Sequence, residues 1–379
     1  MSFDLKLFGR KLERCRTNLQ LEWKEVSAKT GIDENRLSKL EKGEVEPTGD
    51  EVLIFSDLYK QNYNFFISSQ QKSASEQVDI LYRKFGNDFS KEDRWAIQEF
   101  IFLCEAEDFI LKELDFRTVQ FDFTPTGTFF KSHGADAAVK LRARLGLKDA
   151  QIINDPYFTF RQLGIHIFRR KLSNSNISGL FINHPTAGKC VLVNYEEDIY
   201  RQNFTLAHEV GHTIFDFLDT INISFQKWSK NDLKEVRANS FASNFLIPKS
   251  LFQKYSASNW TEKQILDVAR QLQVNPEPVA IAMKEAGMVD EEKFSILRRL
   301  KIPTANKLDP ELRDLSPKYL EAKENLLQKG LSSYYVRNAF ECYNRGIVSA
   351  GKLAEILLSN ESELIQLLSL FNLQLSYDY

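Results

Sequence analysis

Two histidines four residues apart, His208 and His212, flank a glutamate in the stretch Phe204-Thr205-Leu206-Ala207-His208-Glu209-Val210-Gly211-His212-Thr213-Ile214-Phe215. On a helix that spacing puts both imidazoles on one face, one turn apart. Two such rings can share a Zn²⁺ ion, while Glu209, directly after the first, can hold a carboxylate beside an open coordination position and accept the proton of a bound water. Apolar Phe204, Leu206, Ala207, Val210, Ile214 and Phe215 give this helix a surface to bury, and Asn203 or Thr205 is placed to cap its start.

A catalytic zinc site wants a third protein ligand, leaving one position for water. The best downstream supplier is Lys234 to Pro248, where Ala238, Phe241, Ala242 and Phe245 form a helical stripe and Glu235 lies one turn before Ala238 on the same side. A carboxylate on a buried stripe is costly unless paired or metal-bound. Small Ala238 and Ala242 would let this helix approach the HExxH helix closely, and Asn239, one turn past Glu235, is placed to orient a ligand. Upstream, Asp155 to Leu163 reads as a helix or turn. Ile165 to Phe168, Gly179 to Asn183 and Cys190 to Asn194 read as three strands, with His184 to Gly188 as the hairpin between the last two. The expected arrangement is α+β, with a sheet edge beside the site able to pair with an extended peptide. Tyr195, His166 and His184, at or near strand ends, are the candidates for stabilising an oxyanion.

A chain of 379 residues is too long for one core, and a formal charge of -2 creates no global field for nucleic acid or acidic membranes. Cys15, Cys104, Cys190 and Cys342 form no close pair, which fits a reducing cytoplasm. Neither a signal-peptide run nor a bilayer-spanning apolar stretch is visible. The expected class is multidomain and mainly α: a four- or five-helix domain over 1–62, a helical connector over 63–130, a central α+β domain with a small sheet over 131–290, and a helical region over 291–379. In the connector, Lys91 to Phe116 reads as a long helix with Glu99, Glu105, Glu107 and Asp108 on a solvated face. His133 reads as a loop histidine before a helix from Ala137 to Leu145, with Arg142 and Arg144 as surface charges. Pro303 to Pro310 reads as a linker, Met283 and Met288 as core filler, and Ser316 to Phe371 as helical.

The first sixty residues read as four short helices with Thr30-Gly31-Ile32 as the turn between the second and third, Asp33 capping the third, and Gly43 ending it. That is a helix-turn-helix pattern. Gly31-Ile32, Leu37-Ser38-Lys39-Leu40-Glu41-Lys42-Gly43 and Pro47 resemble the Xre/Cro family, which implies that Glu34, Asn35, Arg36, Ser38 and Lys39 face double-stranded DNA, in a dimer. Trp23 and Glu22 depart from the Gln and Thr usual there. Residues 1–60 hold 11 Lys or Arg and 12 Asp or Glu, so non-specific phosphate attraction is weak.

Four segments resemble the ImmA/IrrE family of metallo-endopeptidases: LRARLGL at Leu141 to Leu147, LGIHIF at Leu163 to Phe168, FTLAHEVGH at Phe204 to His212, and EVRANSFASNFLIP at Glu235 to Pro248. The resemblance implies one zinc ion held by His208, His212 and Glu235, a zincin-like fold, and Glu209 as general base. It further implies a protein substrate, a helix-turn-helix repressor, in stress response or mobile-element control. Two other functions fit the same residues: a DNA-binding regulator whose zinc domain senses or docks a partner without cutting it, and an antitoxin-like interaction protein.

Overall fold

The computed structural model describes residues 3–68, 81–82, 86–174, 176–216, 221–225, 232–254 and 260–375. The chain divides into two compact units: Met1–Ala106 with Leu172–Asn174 and His184–Thr186, and Glu107–Lys171 with Ser175–Asn183 and Ala187–Tyr379.

In the first unit the helices are α1 (Leu5–Asn18), α2 (Trp23–Thr30), α3 (Glu34–Glu41), α4 (Gly49–Tyr59) and α5 (Tyr63–Ile67). Asp4, Asp33, Thr48 and Asn62 each accept a backbone N–H in the first turn that follows, which satisfies donors a helix start leaves open. Glu22 and Glu25 do the same reciprocally for α2. Phe8, Leu12, Leu37, Leu40, Phe55, Tyr59 and Phe66 are buried together, each such side chain stabilising the fold by about 1.5–3 kcal/mol. The short α5, read from sequence as the start of the connector, adds Phe65 and Phe66 to this core. The rest of the Ser/Gln-rich link, 69–80, lies outside the described residues. Arg16 grips Glu41 through Nε and Nη2 at 2.7 and 2.9 Å, and the Trp23 indole donates to the same carboxylate at 3.0 Å, tying α1, α2 and α3 together. Trp23, the departure from the family pattern, therefore serves the domain's own ion pair. The long helix α6 (Lys91–Glu113) follows.

The second unit is built on a four-stranded sheet: β1 (His166–Arg170), β2 (Ile177–His184), β3 (Gly188–Asn194) and β4 (Ile221–Phe225), in the order β1-β3-β2-β4. Strands β1 and β3 are parallel, with Ile167 opposite Val191; β2 and β4 are antiparallel, with Leu180 opposite Ile223. Three strands were expected, and β4 is the addition. Around the sheet lie α7 (Phe130–Arg144), α8 (Pro156–Arg161), α9 (Ile199–Phe215), α10 (Leu233–Leu246), α11 (Glu262–Leu272), α12 (Pro276–Glu285) and α13 (Glu291–Leu297). Helices α14 (Pro317–Gln328), α15 (Ser333–Asn344), α16 (Ala350–Ile356) and α17 (Glu361–Ser369) complete the unit. One core of this unit runs from Phe181 and Val191 of the sheet through Leu206 and Val210 of α9 to Phe241 and Phe245 of α10 and Met283 of α12. Among the described residues no helix is long and apolar enough to cross a membrane, and all four cysteines are buried and outside any disulfide.

Four sequence expectations are corrected here. His133 is a buried residue within α7, not a loop residue, with Nε2 3.1 Å from the Thr126 carbonyl. The adjacent Gly134 resembles a helix breaker in sequence, but a Cβ there would lie 2.3 Å from the Arg237 carbonyl oxygen. Its missing side chain is what lets α7 lie against α10. Arg142 is buried and donates to the carbonyls of Phe245, Lys148 and Gln151, serving the C-terminal end of α10 where carbonyls lack partners. Glu107 is buried at 1 % exposure with Oε2 2.8 Å from His166 Nδ1, so that acid belongs to no solvated face. The stretch read as a linker at 303–310 is anchored: Asp309 and Glu311 both pair with buried Arg169 of β1, and Lys307 donates to Asp198 at 2.8 Å. A charge inside a strand buried over its whole length needs counter-ions, and the chain supplies them from 140 residues away.

Candidate metal centre

Helix α9 starts earlier than the sequence suggests. Asp198, not Asn203 or Thr205, caps it, accepting from the N–H groups of Tyr200 and Arg201. Asn203 and Thr205 lie inside the helix and serve neighbours: Asn203 Nδ2 donates to the Gln273 carbonyl at 3.1 Å, and Thr205 Oγ1 to Glu197 at 3.2 Å. The extra turns leave His208, Glu209 and His212 in the middle of a continuous helix, each fully buried. Helix α10 begins after Asp232, which caps it, so Glu235 sits in its first turn with its side chain 16 % exposed.

The two helices bring two imidazole nitrogens and one carboxylate together. His208 Nε2 is 3.0 Å from His212 Nε2 and 3.3 Å from Glu235 Oε2, and His212 Nε2 is 3.2 Å from Glu235 Oε1. Ligands about 2.0–2.1 Å from a tetrahedral zinc lie about 3.3 Å from one another, and the observed spacings between the two rings and the carboxylate are of that size. Among the described residues this is the one cluster of three or more His, Cys, Asp or Glu able to hold a metal. The donor set of two imidazoles and a carboxylate, with the partly open side at Glu235, fits zinc.

The electrostatics agree with a site awaiting a cation. Burial pulls His208 down to about 4, the Glu235 hydrogen bond pulling the other way. Burial also works against a charged His212, but the hydrogen bonds it donates to the Asp216 and Glu235 carboxylates outweigh it and hold that ring up at about 9. Glu235 is held well below the usual carboxylate range: burial opposes this, and the hydrogen bonds to both histidines overcome it.

Several residues around the cluster carry no signal that sequence reading used. Asp216, which ends α9, lies 2.8 Å from His212 Nδ1 and accepts from Arg237 Nη2 at 2.6 Å. Arg237 is two positions past Glu235, and its guanidinium is packed over the rings of Phe215 and Phe130, 4.5 and 5.0 Å from their centroids. A carboxylate on the far nitrogen fixes the tautomer and leaves Nε2 facing the cluster. The available clue was spacing, since Asp216 repeats the step of four that separates His208 from His212. Gly179 of β2 is the second: a Cβ there would lie 3.0 Å from Glu209 Oε1 and 3.0 Å from the Leu192 carbonyl oxygen. The glycine thus makes room for the Glu209 carboxylate against the sheet.

The Asn239 side chain opposes the effect of burial on His208, drawing that ring's pKa upward. The three oxyanion candidates make other contacts: His166 with Glu107, His184 with Thr186 and Glu105, and Tyr195 with the Arg169 guanidinium 5.3 Å from its ring.

Residues 160–284 match the profile of the IrrE N-terminal-like domain, and residues 12–63 match a helix-turn-helix profile. The chain has the ImmA/IrrE architecture, a helix-turn-helix domain fused to an IrrE-like domain. Comparison with curated proteins gives no significant match. The IrrE-like match covers α9 and α10 together, so both sides of the cluster lie within it. In the helix-turn-helix match, α3 exposes Glu34, Asn35 and Lys39, while Ser38 is half-buried. Arg36 is also half-buried and is engaged at home, with Nε and Nη2 on Glu51 at 2.6 and 2.8 Å.

Proposed function

We propose that this ImmA/IrrE protein is a zinc-dependent endopeptidase coupled to transcriptional control, with a helix-turn-helix repressor as its substrate. The observation that carries the reading is the convergence of His208, His212 and Glu235 from two helices at 3.0–3.3 Å, with Glu209 following the first ligand. His208 Nε2, His212 Nε2 and a Glu235 oxygen would hold the ion; Asp216 steadies the His212 ring from behind, and Asn239 adjoins His208. Bound there, zinc supplies a Lewis acid that lowers the pKa of a water and polarises a peptide carbonyl. Glu209 takes the water's proton on its carboxylate and passes it to the leaving amine. Substrate runs in extended form along the sheet edge at β4, which is paired to the strand whose Gly179 adjoins Glu209. The first unit directs the enzyme to DNA through Asn35, Ser38 and Lys39, with Arg36 bracing α3 from within.

The test uses the full chain with purified helix-turn-helix repressors as candidate substrates. Glu209→Gln should keep zinc at wild-type affinity and lose cleavage by at least a thousandfold. Cleavage at the wild-type rate by that variant would refute the proposal.

A further inference from the structure

The second unit holds a partly open cavity of about 200 Å³ that the metal chemistry does not use. It is walled by α8, by the start of α9, and by the segment from Asp309 to Tyr334 in the C-terminal region. A cavity of about 150 Å³ admits the six heavy atoms of benzene, so this one holds about eight, close to a dipeptide backbone, and its open side at the exposed Asn154 and Asp155 leaves room for side chains.

Its charges are unevenly satisfied. Arg169 at the wall is matched by Asp309 and Glu311. Arg161, at the end of α8, is not: its guanidinium is 6 % exposed, donates through Nη2 to the Ile167 carbonyl at 2.7 Å, and lies over the Tyr334 ring at 4.4 Å. Among the described residues no carboxylate lies within ion-pair distance of it, and Nε has no hydrogen-bond partner. A buried guanidinium without a counter-ion is expensive. The neighbouring Tyr157 hydroxyl is likewise buried without a partner among the described residues. At the other end of α8, Asp155 uses Oδ1 to cap Phe158 N–H at 2.9 Å and is otherwise exposed. Asp155 and Arg161 therefore present opposite charges to one cavity without pairing with each other.

We propose that this cavity binds a dipeptide-sized zwitterion. The ligand's terminal carboxylate lies against Arg161 and its terminal ammonium against Asp155. Asn203 and Ser333 border its amide, and Tyr157 and Tyr334 its side chains. A free α-amino acid is disfavoured because its two charges sit about one ion-pair length apart, whereas Asp155 and Arg161 flank about 9 Å of helix rise. A simple anion is disfavoured because Asp155, Asp309 and Glu311 share the cavity. The proposal does not depend on the metal centre.

The experiment is isothermal titration calorimetry of the full chain with alanylalanine and alanylphenylalanine up to 10 mM. Their N-acetylated and C-amidated forms and free alanine and phenylalanine serve as comparisons. At least one dipeptide should bind at a single site, and each capped form and the free amino acids should bind at least tenfold more weakly. Asp155→Asn retains a helix-capping side chain and should cost at least tenfold for the free dipeptide but not for its N-acetyl form. Arg161→Lys should cost the free dipeptide similarly. Absence of binding by both dipeptides, equal binding of capped forms, or dipeptide affinity unchanged in Asp155→Asn would overturn the proposal.

Discussion

The Asp216 carboxylate is where the two metal-bearing helices are joined, and replacing it by asparagine separates geometry from charge. Asp216 is 3 % exposed and Arg237 9 %, so neither group is screened by water. Asparagine keeps the size and one acceptor oxygen but removes the charge that His212 Nδ1 and Arg237 share at 2.8 and 2.6 Å. A hydrogen bond to a charged group is worth about 1.5–3 kcal/mol. At about 1.4 kcal/mol per decade that is about a 10- to 150-fold loss of zinc affinity, in line with the 10- to 100-fold typical when the partner of a ligating histidine is removed. The assay is competition for zinc against a chromogenic chelator at pH 7.5, with circular dichroism to check that the fold survives. A dissociation constant within twofold of wild type, in a folded variant, would refute the idea that Asp216 prepares His212 for the metal.

Other perturbations follow from the same coordinates. Gly179→Ala should lower the melting temperature, by about 1–3 kcal/mol of stability, and reduce cleavage more than zinc affinity, because its Cβ displaces Glu209 Oε1 while the Leu192 carbonyl cannot move aside; calorimetry and parallel zinc titration read both effects. In chelator-treated protein, the neutral state of His208 contributes stability above the unfolded pKa of about 6.5 that is lost as pH falls through about 4. The charged state of His212 contributes stability below about 6.5 that is lost as pH rises through about 9. Metal-free stability from this pair should therefore peak near pH 6.5 and decline on both sides, by linkage of folding to proton uptake; urea titrations from pH 4 to 9 that show a flat response would contradict it. Lys39→Ala should weaken operator DNA binding and reduce the salt slope by about one, as measured by fluorescence anisotropy; an unchanged slope would remove α3 from the phosphate contacts.

Much of this architecture is legible in the residues because its signals are local. Asp33 capping α3, the step of four between His208 and His212, and the Ala238-Phe241-Ala242-Phe245 stripe each depend on neighbours within a few positions. Glu235 could be picked out as well, since a carboxylate on an apolar stripe demands a partner. What stayed hidden depends on distant chain. Arg142 looks like a surface charge until Phe245 arrives 103 residues later with a carbonyl to satisfy. Glu107 looks solvated until His166 packs on it. Pro303 to Pro310 has the composition of a linker, and only the burial of Arg169 in β1 shows why Asp309 is held. Gly134 is a poor helix former by type, and only the arrival of α10 at contact distance shows why a glycine stands there. The start of α9 was misplaced for a simpler reason: Asn203 and Thr205 are good caps, but Asp198 is another good cap five residues earlier.

The central claim, that His208, His212 and Glu235 hold one zinc ion, is tested most directly by anomalous diffraction at the zinc edge on zinc-loaded crystals. The account predicts a single strong peak about 2.0–2.2 Å from the Nε2 atoms of His208 and His212 and from a Glu235 carboxylate oxygen. A peak coordinated by other residues, or one that leaves Glu235 outside its coordination sphere, would contradict it.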